Sequence, residues 1–217
     1  RGSARGDLLP LDRAFAACEV DAATRQHCET RLISLLERGV SAVAREYICS
    51  RLAMIGSEQS VHALLASLDE PQSADAAMTA LQAIPGPAIS KALVSTLPKL
   101  ARNQTIAVAR VLGARRQKGS ERSLTRLLRH SDPAIAAAAL AALGAIGSDQ
   151  AAKALRAFLR VAPESLRIPA ADACLVCAQR SLVSGNNRSA RALCQLVQAQ
   201  PLPAFVKTAA QRIGASA

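Results

Sequence analysis

Asp132-Pro133-Ala134-Ile135, continuing through Ala139-Leu140 and Leu143-Gly144 to Ile146-Gly147-Ser148-Asp149-Gln150, reads as one helix with both ends written into it, followed by the start of another. Asp132 is a capping residue, and Pro133 stands at the first helical position, where its missing N–H costs nothing. The alanines and leucines between are the strongest helix formers. Gly147 ends the segment, and Ser148 is placed to cap the next helix.

The same punctuation recurs along the chain, at Ile55-Gly56-Ser57-Glu58-Gln59-Ser60 and at Gly119-Ser120-Glu121-Arg122-Ser123, and more loosely at Ile84-Pro85-Gly86 and after Gly185. Behind these turns come apolar sets: Val61, Leu64, Leu65 and Leu68; Leu93, Val94 and Leu97; Leu124, Leu127 and Leu128; Leu193, Cys194 and Val197. Spacing of i, i+3, i+4 and i+7 is that of a helix with one buried stripe. Ahead of the turns run further helices, expected over 44–55, 73–84, 103–114, 133–146 and 167–183. Each repeat is therefore a helix pair, with an irregular period of about 28 to 38 residues. A pair alone cannot bury its stripe, so neighbours must stack. The expected fold is all-α, a right-handed α-solenoid of about five stacked pairs plus capping helices.

Composition agrees. The chain has 217 residues, half of them hydrophobic, with 47 Ala and 28 Leu against three Phe, one Tyr and no Trp. That balance argues against a strand-rich fold. No uninterrupted apolar run reaches the ~18 residues of a membrane span, and no membrane insertion is expected. Residues 1–9, which open Arg1-Gly2-Ser3-Ala4-Arg5-Gly6 without an initiator Met, read as a disordered or vector-derived N-terminus. Residues 10–39 read as N-terminal capping helices, with Asp21 capping the one that carries Leu32, Leu35 and Leu36, and 40–217 as the repeat array, ending in an incomplete repeat.

Residues 132–147 resemble the first helix and turn of HEAT repeats, and Arg45 falls at that family's usual arginine position. Ala74 and Ala136 depart from it. The resemblance extends over about residues 40–214 and implies a helical interaction module. More narrowly, residues 44–53 and 171–178 are similar to HEAT-containing exported proteins of environmental bacteria, in which the array is often joined to a keto-disaccharide hydrolase-type domain. A periplasmic or exported location is implied by that resemblance alone.

Chemistry is sparse. His27, His62 and His130 are far apart and lack metal-ligand spacing, so each reads as a surface residue. Cys174 and Cys177 form a C-x-x-C pair, but a metal site would need a second ligand pair and a redox site a strand–helix junction. Mid-helix, they read as small core residues. Cys49 and Cys194 occupy core slots filled elsewhere by leucine, and a Cys18–Cys28 disulfide remains open. No nucleophile elbow, phosphate loop or recurring carboxylate pair is present; Asp172 reads as a solvated or ion-paired acid. Neither catalysis nor a cofactor nor a metal is expected.

Charge is lopsided. Residues 1–75 carry 8 Lys and Arg against 11 Asp and Glu, whereas residues 76–217 carry 19 against 5, within a formal net charge of +11. Placing the second helices in register puts His62, Lys91, Thr125, Lys153 and Arg191 in one slot and Gln59, Ala88, Arg122, Gln150 and Arg188 in another. Arg126, Arg129, Arg156 and Arg160 add to the same layer, with Arg115, Arg116 and Lys118 in the turn before it. The expected partner-binding residues are His62, Lys91, Arg122, Arg126, Arg129, Lys153, Arg156, Arg188 and Arg191, lining a basic concave groove. An acidic protein surface or peptide is the expected partner. Non-specific nucleic-acid binding is the alternative, weakened because the chain has only four aromatics, Phe15, Tyr47, Phe158 and Phe205. A structural spacer for an attached catalytic domain is the third reading.

Overall fold

In the computed structural model, residues 21–217 are described. Twelve α-helices are formed among them: α1 Ala22–Glu37, α2 Ala42–Ile55, α3 Val61–Ser67, α4 Ala74–Ala83, α5 Pro87–Thr96, α6 Arg102–Arg115, α7 Glu121–Leu127, α8 Pro133–Ile146, α9 Asp149–Leu159, α10 Glu164–Val183, α11 Asn187–Ala199 and α12 Ala204–Ala215. Single 3-10 turns, Glu58–Ser60 and Leu97–Lys99, precede α3 and follow α5, and no strand occurs among the described residues. The chain falls into two compact units, divided between Ala92 and Leu93 inside α5.

The first unit is a small stack. α1 packs on α2 and α3, and α2 and α3 both pack on α4. Asp21 caps α1 by accepting from the backbone N–H groups of Ala23 and Thr24. Ile48, Cys49, Leu52 and Ile55 are buried on α2, and Ala77, Ala80 and Leu81 on α4. Glu29 is buried within α1; its Oε1 accepts from the Ser57 N–H at 2.6 Å, the Ser57 hydroxyl at 2.9 Å and the Ser60 hydroxyl at 2.6 Å. A helix carboxylate thereby ties down the turn that starts the next pair. His27 and His62 are exposed. Of the expected capping region, the part before residue 21 lies outside the described residues, as does Cys18 of the Cys18–Cys28 pair.

The second unit is a two-layer array. α6, α8, α10 and α12 pack successively to form one layer, and α7, α9 and α11 form the other. The first layer is close-packed over its smallest residues. A Cβ at Gly113 would lie 2.7 Å from Ala142 Cα, and one at Gly144 would lie 2.8 Å from Ala173 O, so these glycines let neighbouring backbones meet where no side chain fits. Helix α8 begins and ends as its residues dictate: Asp132 accepts from the Ala134 N–H at 2.8 Å, and Gly147 stops it at φ +65°, a left-handed turn that glycine adopts most readily. Helix α10 starts at Glu164, three residues before the expected start, and carries Pro169 within it. No helix among the described residues is long and apolar enough to cross a membrane.

Candidate functional site

Each second-layer helix of the second unit is launched from a glycine with positive φ, Gly119, Gly147 or Gly185. Ser148 Oγ then accepts from the Ala151 N–H at 3.2 Å and Asn186 Oδ1 from the Ser189 N–H at 3.1 Å, while the Ser120 hydroxyl instead donates back to Gln117 O. These turns fix the rotation of the helices. Leu124 and Leu128 on and beside α7, Ala151, Ala152, Leu155 and Leu159 on α9, and Ala190, Leu193, Cys194 and Val197 on α11 point into the core. The opposite face is left to the cations: Arg122, Arg126 and Arg129, then Lys153, then Arg188 and Arg191, all exposed. His62 and Lys91 belong to the first unit, each exposed on its own helix, α3 and α5.

Two expected members of this surface behave differently. Arg156 lies nine residues after Gly147, the slot that Leu128 and Cys194 fill after Gly119 and Gly185. It is half-buried, and its charge bears on the thiols of Cys174 and Cys177 in α10, so it belongs to the side of α9 that meets the first layer. Thr125, in register with Lys153 and Arg191, is half-buried with its hydroxyl donating to Glu121 O at 2.7 Å. Leu127, counted with the buried stripe from its spacing, is half-exposed instead.

The acids of the second unit are mostly engaged elsewhere. Glu121 is buried and accepts from the Gly119 N–H at 2.6 Å and the Ser148 hydroxyl at 2.7 Å. Asp149 accepts from Asn186 Nδ2 at 2.8 Å. An acid at the first residue of one second-layer helix thus takes a hydrogen bond from the turn before the next, twice in succession. Asp132 bonds Arg102, and this bond, with the cap on α8, holds its carboxyl below the usual range. Burial pushes Asp172, on α10, above it. Among the described residues, Arg122, Arg126, Arg129, Lys153 and Arg188 enter no ion pair, so their charge is uncompensated at contact range.

The turn-to-turn bonds through Glu121, Ser148, Asp149 and Asn186 escape a reading based on apolar periodicity. Their signal was the acid two residues after Gly119 and Gly147. Cys49, Cys174, Cys177 and Cys194 are buried free thiols; burial, with the neighbouring Cys177, pushes Cys174 up to about 12, and burial with Asp149 pushes Cys177 up to about 11. Among the described residues no group of three or more His, Cys, Asp or Glu is arranged to hold a metal ion.

Residues 87–175 match the family model for HEAT repeats. The HEAT match runs from the first residue of α5 into α10, and so takes in the turns at Gly119 and Gly147 and the cations from Lys91 to Arg156. No curated protein matches the chain. A crystal structure of an engineered protein is similar at 20% identity over 86% of this chain and 94% of that one, with a TM-score of 0.47.

Proposed function

We propose that the second unit is a non-catalytic binding scaffold that receives an acidic protein segment across the exposed face of α7, α9 and α11. HEAT repeats commonly mediate protein interactions, which supports the general reading. The observation that carries the specific one is the set of exposed cations on or beside three successive helices, Arg122, Arg126 and Arg129, Lys153, and Arg188 and Arg191, of which all but Arg191, bonded to the Ala217 oxygen, enter no ion pair among the described residues. Packed helices lie about 8–10 Å apart, close to a Debye length at physiological salt, so charges on neighbouring helices reinforce one another toward an extended anion.

Nucleic acid fits this face less well. Stacking platforms for unpaired bases need aromatic rings, and the one aromatic on these three helices, Phe158, is half-buried. A fluorescence-anisotropy titration of a labelled Glu- and Asp-rich peptide tests the proposal. The acidic peptide should bind and weaken steeply between low and physiological salt, while its Gln- and Asn-substituted counterpart should not bind. Equal affinity for both peptides would contradict the reading, and tighter binding of duplex DNA than of the peptide would move the partner to nucleic acid.

A further inference from the structure

We propose that the cleft between α11 and α12 is a carboxylate-binding subsite at the end of the basic face. In it Arg191 would take the carboxylate, and the side-chain amides of Gln195, Gln198 and Gln211 would hold the adjoining peptide backbone. This deepens the preceding reading and rests on it for the acidic character of the partner. The cleft has a volume of about 370 Å³. Its floor is Cys194, only 1% exposed, and Gly214. A Cβ at Gly214 would lie 3.4 Å from Cys194 Cβ and 4.0 Å from Gln198 Nε2, so glycine keeps the floor low directly beneath that amide.

The chemistry converges on a peptide. Arg191 Nη2 already donates to an oxygen of Ala217, the last residue of the sequence, so its guanidinium reaches a carboxyl oxygen from this position. A guanidinium has five N–H donors in a planar fork, so most remain for a carboxylate, which it can bind through two parallel bonds. A glutamine amide both donates and accepts, as a peptide backbone does. None of the three amides bonds another described residue, so all three are available to a ligand. Neither α11 nor α12 contains an acidic side chain, while Arg188, Arg191, Lys207 and Arg212 lie on them, so an incoming carboxylate has to share the Arg191 guanidinium with the Ala217 oxygen alone.

The carboxylate could belong to an acidic side chain or to a chain terminus. A labelled acidic hexapeptide with a free carboxyl end, and the same peptide amidated, separate the two sources. They are titrated against the whole chain, against Gln198→Ala/Gln211→Ala and against Arg122→Glu/Lys153→Glu. Loss of the two amides should weaken the acidic peptide about tenfold, given two neutral hydrogen bonds of ordinary strength. If amidation costs a similar factor, the terminus is the source; if amidation changes nothing while the amide loss still weakens binding, a side chain is.

The subsite is overturned if Gln198→Ala/Gln211→Ala binds as the parent does while Arg122→Glu/Lys153→Glu does not, which would leave the basic face standing. The converse result sinks the basic face and keeps the subsite. Absence of binding by the parent sinks both. Should the glutamine variant fail to fold, the parent's own side-chain amide resonances decide: those of Gln198 and Gln211 should shift on titration with the acidic peptide, and their failure to move while peptide binds elsewhere would overturn the subsite.

Discussion

The two units build helix pairs from different materials. In the first, the facing helices α2 and α4 bury Ile48, Leu52 and Ile55 on one side and Leu81 with small alanines on the other, and a carboxylate within α1 holds the Gly56–Ser57 turn. In the second, α6, α8 and α10 meet over Gly113–Ala142 and Gly144–Ala173, and the carboxylates that tie one repeat to the next turn are the first residues of α7 and α9. Stacking needs only a filled interface and satisfied turns; whether large or small residues fill it is open. What differs in consequence is tolerance. A seam of backbone on backbone accepts no added atom, while one of bulky side chains suffers most from their loss.

The largest effect should come from the leucines that both units share. Leu155→Ala, on a fully buried side chain, is expected to destabilise by about 3 kcal/mol, as is Leu52→Ala in the first unit. Leu127→Ala, on a half-exposed residue, should cost well under half of that. Chemical denaturation measures all three, and an equal loss at Leu127 would contradict the rotation assigned to α7.

Next comes the seam. Gly144→Ala should destabilise by about 2 kcal/mol even though alanine is the better helix former, because the new Cβ meets the Ala173 backbone. A neutral or stabilising result would mean that α8 and α10 part easily. Smaller again is the carboxylate difference: Glu29→Ala leaves three donor groups without their acceptor and Glu121→Ala two, so each should cost about 1–2 kcal/mol with Glu29 the larger. Equal or reversed losses would remove this distinction between the units.

The smallest structural perturbation is chemical. Thiolate, not thiol, is the nucleophile, and thiols raised to about 12 and about 11 are almost wholly protonated at pH 8. Cys174 and Cys177 should therefore react with a maleimide far more slowly than half-buried Cys28, at a rate set by opening of the second unit. Rapid labelling of either in the native protein would contradict their place in the core.

The array was legible in the sequence because its signals are local. Gly147 and Ser148 mark a helix end and a cap within two residues, and the stripe from Leu193 to Val197 repeats at helical spacing. Residues whose role depends on distant neighbours were not legible. Glu29 reaches Ser57 and Ser60, and Asp149 reaches Asn186, across separations that periodicity does not report. Arg156 is ambiguous for a related reason: a charged residue in a register otherwise held by Leu128 and Cys194 reads as surface until the helix beside it is known, and it is half-buried. The cleft beside Arg191 was equally hidden, since Gln195, Gln198 and Gln211 carry no motif and gain meaning only when α11 and α12 meet.

The central claim is that the face of α7, α9 and α11 binds through the placement of its charges and not merely through their number. Replacing Arg122, Lys153 and Arg188 together with Glu changes net charge by the same amount as replacing Arg31, Arg38 and Arg110 with Glu, three exposed cations off that face. Affinity for the acidic peptide should fall at least a hundredfold in the first triple variant and only a few-fold in the second, with melting temperatures within a few degrees of the parent, because solvated surface charges contribute little to folding. Equal losses of affinity in the two variants would show that the attraction belongs to net charge alone and would contradict the account.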